Sequence, residues 1–139
     1  MRNIFKAKLL NIQPSQLYIC SEKLARVVGS KTVINTEAFE PVPVKKLGSR
    51  VIFTDGHTRA LALFQSGIAE IYAYWDNDDE LDWEAYQICV DWCVKQNIYS
   101  IKDLNDRIVS KQDYQKFWLK RCSEMQCKLA EKRKRKQNI

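Results

Sequence analysis

Arg50-Val51-Ile52-Phe53-Thr54-Asp55-Gly56-His57-Thr58-Arg59-Ala60-Leu61-Ala62-Leu63-Phe64-Gln65-Ser66-Gly67 carries the strongest local signals in the chain. Arg50 to Thr54 is a β-branched and aromatic run, the pattern of a strand. Asp55-Gly56 breaks it. Thr58 to Ser66 are good helix formers, with Ala60, Leu61, Leu63 and Phe64 available for packing, and Gly67 stands where a left-handed cap is usual. Ile71-Tyr72-Ala73-Tyr74-Trp75 reads as the next strand. A strand, a helix and a strand with short joints make a compact α/β unit.

Upstream, Leu9 to Ile12 reads as a short strand stopped by Pro14, and Leu17-Tyr18-Ile19-Cys20 as a second extended piece. Ser21 is placed to cap a helix that runs to about Val28, because its oxygen can accept from free first-turn amides. Gly29-Ser30 ends that helix. Lys31 to Glu40 is polar and irregular, with Phe39 as its apolar anchor. Pro41-Val42-Pro43-Val44 is extended, since a proline disfavours helix at the residue before it. The second proline predicts an edge strand.

Asp76-Asn77-Asp78-Asp79-Glu80 is an acidic hinge, and the composition changes after it. Trp83, Tyr86, Val90 and Val94 mark an amphipathic helix. Ser100 with Asp103, and Ser110 with Asp113, resemble capping boxes. They open a short helix carrying Ile101, Leu104 and Ile108, then a long one carrying Tyr114, Phe117, Trp118, Met125 and Leu129. The expected class is therefore α+β: a small α/β domain over residues 1–80, three helices over 81–131, and a basic tail over 132–139. The aromatic stripes of the helices read as core.

The 139 residues suffice for one core plus a helical appendage. No apolar run approaches the roughly 20 residues a membrane helix needs. The N-terminus shows no secretory pattern, so the expected compartment is the cytoplasm, with no membrane partner. Five cysteines, an odd number at uneven spacing, fit reduced thiols better than a disulfide framework. Cys89 with Cys93 and Cys122 with Cys127 lack the two-residue gap of common zinc sites, so no metal site is expected. The net charge of +6 is concentrated at the end of the chain. Lys128, Lys132, Arg133, Lys134, Arg135 and Lys136, against Glu131, account for +5 of it. Such a tail either contacts nucleic acid or anionic lipid electrostatically or is a solvated helix end.

Chemistry concentrates at Thr54 to Ala60. The first amides of a helix lack internal partners and carry the positive end of its dipole. An anion can sit there, and Gly56 permits close approach. Arg59, on the first turn, can close on a phosphate with two parallel hydrogen bonds. His57, the one histidine of the chain, sits beside Asp55 with the chemistry of an acid/base group or a phosphate donor. The same residues also suit a purely structural turn, with Asp55 shaping it, His57 half-buried and Arg59 on the surface.

The order of elements resembles the ParB/sulfiredoxin superfamily. The resemblance covers residues 9 to 76: a Pro-Ser-Gln-Leu opening at residues 14–17, the Pro-Val-Pro-Val strand, and Asp55-Gly56-His57-Thr58-Arg59-Ala60-Leu61-Ala62 followed by Ile71-Tyr72-Ala73-Tyr74-Trp75. In that superfamily the glycine turn cradles nucleotide phosphates. The resemblance implies that role for Gly56, Thr58, Arg59 and Ala60, with ATP, ADP or CTP and Mg2+ as the ligand. The sulfiredoxin turn has a nucleophilic cysteine where His57 stands, so sulfinic acid reduction is not expected. The chromosome-partitioning branch has a Gly-Glu-Arg-Arg turn, whose glutamate and first arginine are absent. The free serine kinase branch has an Asp-Gly-His-His-Arg-like turn, matched by Asp55, Gly56, His57 and Arg59, with Thr58 departing from it.

On that likeness Asp55 would position a magnesium ion or the hydroxyl acceptor. His57 and Arg59 would hold the transferring phosphoryl group. A glutamate would serve as general base, with Glu40 the first candidate and Glu37 and Glu22 behind it. The expected function is nucleotide binding, extended to phosphoryl transfer to a small hydroxyl-bearing acceptor or to nucleotide hydrolysis. The competing reading is a non-catalytic regulatory or DNA-associated module that uses the helices and the basic tail.

Overall fold

The computed structural model describes residues 3–137. It has a four-stranded sheet in the order β1 (Ile4–Lys8), β5 (Glu70–Trp75), β3 (Val42–Leu47) and β4 (Arg50–Phe53). β1 runs antiparallel to β5, with Ile4 opposite Tyr74 and Lys8 opposite Glu70. β5 is parallel to β3, and β3 is antiparallel to β4 through the two-residue turn at Gly48-Ser49. From β4 the chain enters α2 (His57–Gln65), which buries Ala60, Leu61, Ala62 and Leu63 and leads past Gly67 (φ 77°) into β5. Before these come β2 (Ile19–Cys20) and α1 (Ser21–Gly29).

After the acidic hinge, α3 (Trp83–Lys95) leads to a 3₁₀ turn (Ile101–Leu104) and β6 (Ile108–Val109). α4 (Lys111–Tyr114) then continues through a π-helical turn (Gln115–Leu119) into α5 (Lys120–Gln137). β6 pairs in parallel with β2, Ile19 opposite Ile108, and so ties the helical region to the start of the chain. One apolar core runs through both parts, from Leu9, Val42, Phe53 and Leu61 to Cys93, Ile101, Trp118, Met125 and Leu129. The molecule is a small sheet unit followed by a helical region that ends in a long helix.

Several local expectations change. The first strand is Ile4–Lys8, and Leu9–Asn11 is a 3₁₀ turn in which the Leu9 amide donates to the Ala69 carbonyl. Ser21 is the first helical residue of α1, and Cys20 takes the cap position. Ile101 to Ile108 is a 3₁₀ turn plus a strand, because Asp103 accepts from the Tyr99 and Ser100 amides while Ile108 joins the β2 ladder. The Ser110 side chain does open the long helix, accepting from the Asp113 amide.

Pro43 does not lie on an edge strand. β3 is interior, and the proline is accommodated where β4 leaves the sheet. The Thr54 amide donates to the Pro43 carbonyl at 3.1 Å. The reciprocal bond of such an antiparallel pair would need an amide at position 43. The proline has none, and the Thr54 carbonyl accepts the Tyr86 hydroxyl at 3.0 Å instead.

Gly56 fixes the exit from β4. Its φ is +87°, and a Cβ there would overlap the Val42 side chain. Gly48 has φ +60° but open space around it. Gly56→Ala should therefore cost about 3 kcal/mol, strain plus overpacking, whereas Gly48→Ala should cost about 1 kcal/mol from backbone strain alone. Urea denaturation of both variants tests the difference; equal losses would mean that Val42 moves aside freely.

Candidate functional site

The turn from β4 to α2 separates its side chains to two sides. On one side the Arg59 guanidinium donates to the Glu40 carbonyl at 3.1 Å, and its second terminal nitrogen lies over Gly56. The Asp55 carboxylate accepts from the Gly56 amide at 2.7 Å and remains exposed. Gly56 thus opens α2 in the left-handed conformation with the first helical amides behind it. On the other side Asp55 and His57 line a cavity of about 330 Å³. Its far wall is α3 and the long helix, through Asp82, Ala85, Tyr86, Cys89, Trp118, Cys122 and Met125.

His57 is 4% exposed, and its Nε2 accepts from the Ser15 amide at 2.9 Å. The ring proton therefore sits on Nδ1. Burial pushes the imidazole down to about 4; Asp55 opposes that shift and Lys23 adds to it. At neutral pH His57 is an uncharged ring with Nε2 engaged, suited to donate one hydrogen bond from Nδ1 and unsuited to take a proton at Nε2. Ser15 also donates its hydroxyl to the Phe53 carbonyl at 2.6 Å, so one residue of the Pro-Ser-Gln-Leu segment fixes both the strand end and the ring.

The helical region supplies the rest. Tyr86 donates to Thr54 and is held above its ordinary pKa by burial and then by Asp55 and Asp76. Asp82 caps α3 by accepting from the Ala85 amide. It also receives two bonds from Arg133, at 2.9 and 3.0 Å, which hold its carboxyl below the usual range. Arg133 reaches Glu84 as well, so the end of α5 is tied to the mouth of the cavity.

Asp55, Gly56, His57, Thr58, Arg59 and Ala60 thus lie on one turn, with Glu40 beside it through its backbone. The carboxylates that line the cavity are Asp55 and Asp82; Glu40, Glu37 and Glu22 do not line it. Thr58 and Ala60 are buried. Among the described residues no group of three or more His, Cys, Asp or Glu side chains is placed to hold a metal. No described helix is long and apolar enough to cross a membrane. Ser15 and Gln16 stand in the Pro-Ser-Gln-Leu segment and Tyr86 in the α3 stripe without a site role in the sequence, and Asp82 carries no sequence signal at all. Tyr86 looked like one more residue of a core stripe, and only the proline gap at Pro43 marks its hydroxyl as needed.

No family model matches the chain, and no curated protein matches it in sequence. Among solved structures it is similar to protein Atu1540 from Agrobacterium tumefaciens, with 14% identity and a TM-score of 0.50. The match covers 75% of this chain and 62% of that one, so the chain spans less than two thirds of that protein. At this identity the likeness concerns the fold alone: a mixed α/β architecture with a small sheet and a long helix.

The His57 environment gives a pH test with a definite sign. Its folded pKa of about 4 lies below the 6.5 of a free histidine, so the unfolded chain binds more protons between those values. The contribution is fully present above pH 6.5 and is lost as the pH falls toward 4, by on the order of 3 kcal/mol. His57→Gln keeps an oxygen for the Ser15 amide and cannot titrate. Its stability relative to wild type should improve by that amount between pH 6.5 and 4 in chemical denaturation; parallel curves would mean a solvated ring.

Proposed function

We propose that residues 55 to 60 bind the phosphate of a nucleotide, in the manner of the ParB/sulfiredoxin superfamily. The observation that carries this reading is the opening of α2: a left-handed Gly56, free first-turn amides, and the Arg59 guanidinium folded over the same glycine. A phosphate at the helix start would lie in the field of the helix dipole and within reach of a planar cation. His57, which lines the cavity and has Nε2 engaged by Ser15, would have its Nδ1–H as the one donor it could offer such a ligand. With ATP, ADP or CTP, Mg2+ would be held chiefly by the nucleotide's own phosphates, which leaves the Asp55 carboxylate for the acceptor hydroxyl. This fits the sparse protein ligation Mg2+ accepts in nucleotide sites.

The cavity beside Asp55 is large enough for a small hydroxyl-bearing acceptor, and phosphoryl transfer to it extends the same reading. In that extension Asp55, exposed at the cavity edge, receives the hydroxyl proton, while Arg59 and the α2 amides hold the charge on the phosphoryl oxygens. His57 orients and does not transfer protons. Glu40 stays outside the cavity and serves through its carbonyl, which holds Arg59 over the turn. A second reading, a nucleic-acid-associated module, rests on the groove of Trp92, Arg121, Lys128 and Lys132 between α3 and α5. It is weakened by the pairing of Lys132 and Arg133 with Glu84 and Asp82.

Calorimetric titration of ATP, ADP and CTP with Mg2+ tests the phosphate site. Wild type should bind one of them, and Arg59→Ala should weaken that binding about 10- to 100-fold, the cost of one charge-assisted phosphate contact. Phosphorus NMR with serine and other small alcohols tests transfer. Asp55→Asn should slow transfer by about 100-fold. Binding of all three nucleotides unchanged by Arg59→Ala, or no binding at all, would remove the proposal.

A further inference from the structure

The cavity has a second chemical end that the nucleotide reading does not use. Cys89 on α3 and Cys122 on α5 both line it, one buried and one half-buried, and both are free thiols. They stand on facing helices whose packing closes that wall. We propose that Cys89 and Cys122 form a dithiol modification site, which a peroxide oxidises to an intramolecular disulfide across the cavity wall.

The two sulfurs have unequal roles. Arg121 lies 4.2 Å over the Trp92 ring and so sets this part of the long helix against α3. Beside Cys89 the Cys122 thiol is pulled below its ordinary pKa, first by the Cys89 side chain and also by Arg121, while Cys122 and burial push that of Cys89 up. Cys122 is the nucleophile, because the thiolate is the reactive form and its half-buried position on the cavity lets a small oxidant reach it. With a peroxide, the Cys122 thiolate attacks one oxygen, the O–O bond breaks, and hydroxide leaves Cys122 as a sulfenic acid. The Cys89 sulfur then attacks Cys122. The S–S bond forms, the S–O bond breaks, and the hydroxyl departs as water with the Cys89 proton. Two electrons pass from the thiols to the peroxide.

The other cysteines do not compete for this pairing. Cys93 is fully buried, donates to the Gln16 carbonyl at 3.6 Å, and is pushed up to about 12 by burial. Cys20 is buried beside α1, and Cys127 is exposed away from the cavity lining. The disulfide would staple α3 to α5 beside Trp118 and Met125 and reshape the apolar end of the cavity. It depends on no nucleotide, so its failure and that of the phosphate site are separable.

The test treats the reduced full-length protein with hydrogen peroxide, blocks remaining thiols, and identifies linked peptides by mass spectrometry. The expected result is the loss of two hydrogen atoms from the intact mass and one dominant peptide pair joining Cys89 to Cys122. That pair should disappear in Cys89→Ser and in Cys122→Ser, persist in Cys127→Ser, and scramble among the cysteines in urea. A native product joined through Cys127 or Cys93, or a Cys122 sulfinic acid formed without the linkage, overturns the proposal. The wild-type measurement stands alone should a serine variant fail to fold.

Discussion

The contact between Gly56 and Val42 is the constraint on which the site depends. β4 must leave the sheet at Thr54, and α2 must begin within a few residues to cover the same face. Only a residue without a Cβ, at positive φ, lets the chain turn so close to β3. Once the turn is made, His57 points inward to the Ser15 amide, Arg59 folds back over the glycine, and Asp55 is left between the two. Glycine at this position is thus demanded by packing, independently of any ligand. A phosphate would use a geometry the fold already requires.

The cavity, by contrast, is made by elements far apart in sequence. The β2–β6 ladder is only two residues long on each strand, yet it anchors the return of the chain from α3 to the long helix. At the opposite end of that helix, Arg133 grips Asp82 and Glu84. These exposed ion pairs are individually weak and salt-sensitive. Their importance is positional, since Asp82 is at once the α3 cap and part of the cavity wall.

The strand, turn and helix from Arg50 to Gly67 were legible because their signals are local: a β-branched run, a glycine and helix-forming residues, each strong within a few positions. The division into a sheet part and a helical part was legible in the same way, from the composition change at the acidic hinge. β1 was not, because Lys6 and Lys8 alternate with Phe5 and Ala7 on a half-exposed strand that gains its identity only by pairing with β5. Ile108 looked helical since two-residue ladders leave no periodicity. Of the candidate site, the turn itself could be read, but not the inward ring of His57 or the opposing wall. Those depend on Ser15 and Tyr86, whose partners lie 42 and 32 residues away.

The proline inside β3 carries a consequence for assembly. A missing amide in the sheet leaves one carbonyl, that of Thr54, asking for a donor from outside the strands. Tyr86 answers it, and few other side chains on α3 could. A slip of one turn toward the C-terminus would bring Cys89 or Val90 to that place, and neither offers a strong donor. The misplaced helix would bury an unsatisfied oxygen and be penalised for it. The imino acid therefore acts as an address label written into the sheet, specifying where along its length the following helix must come to rest.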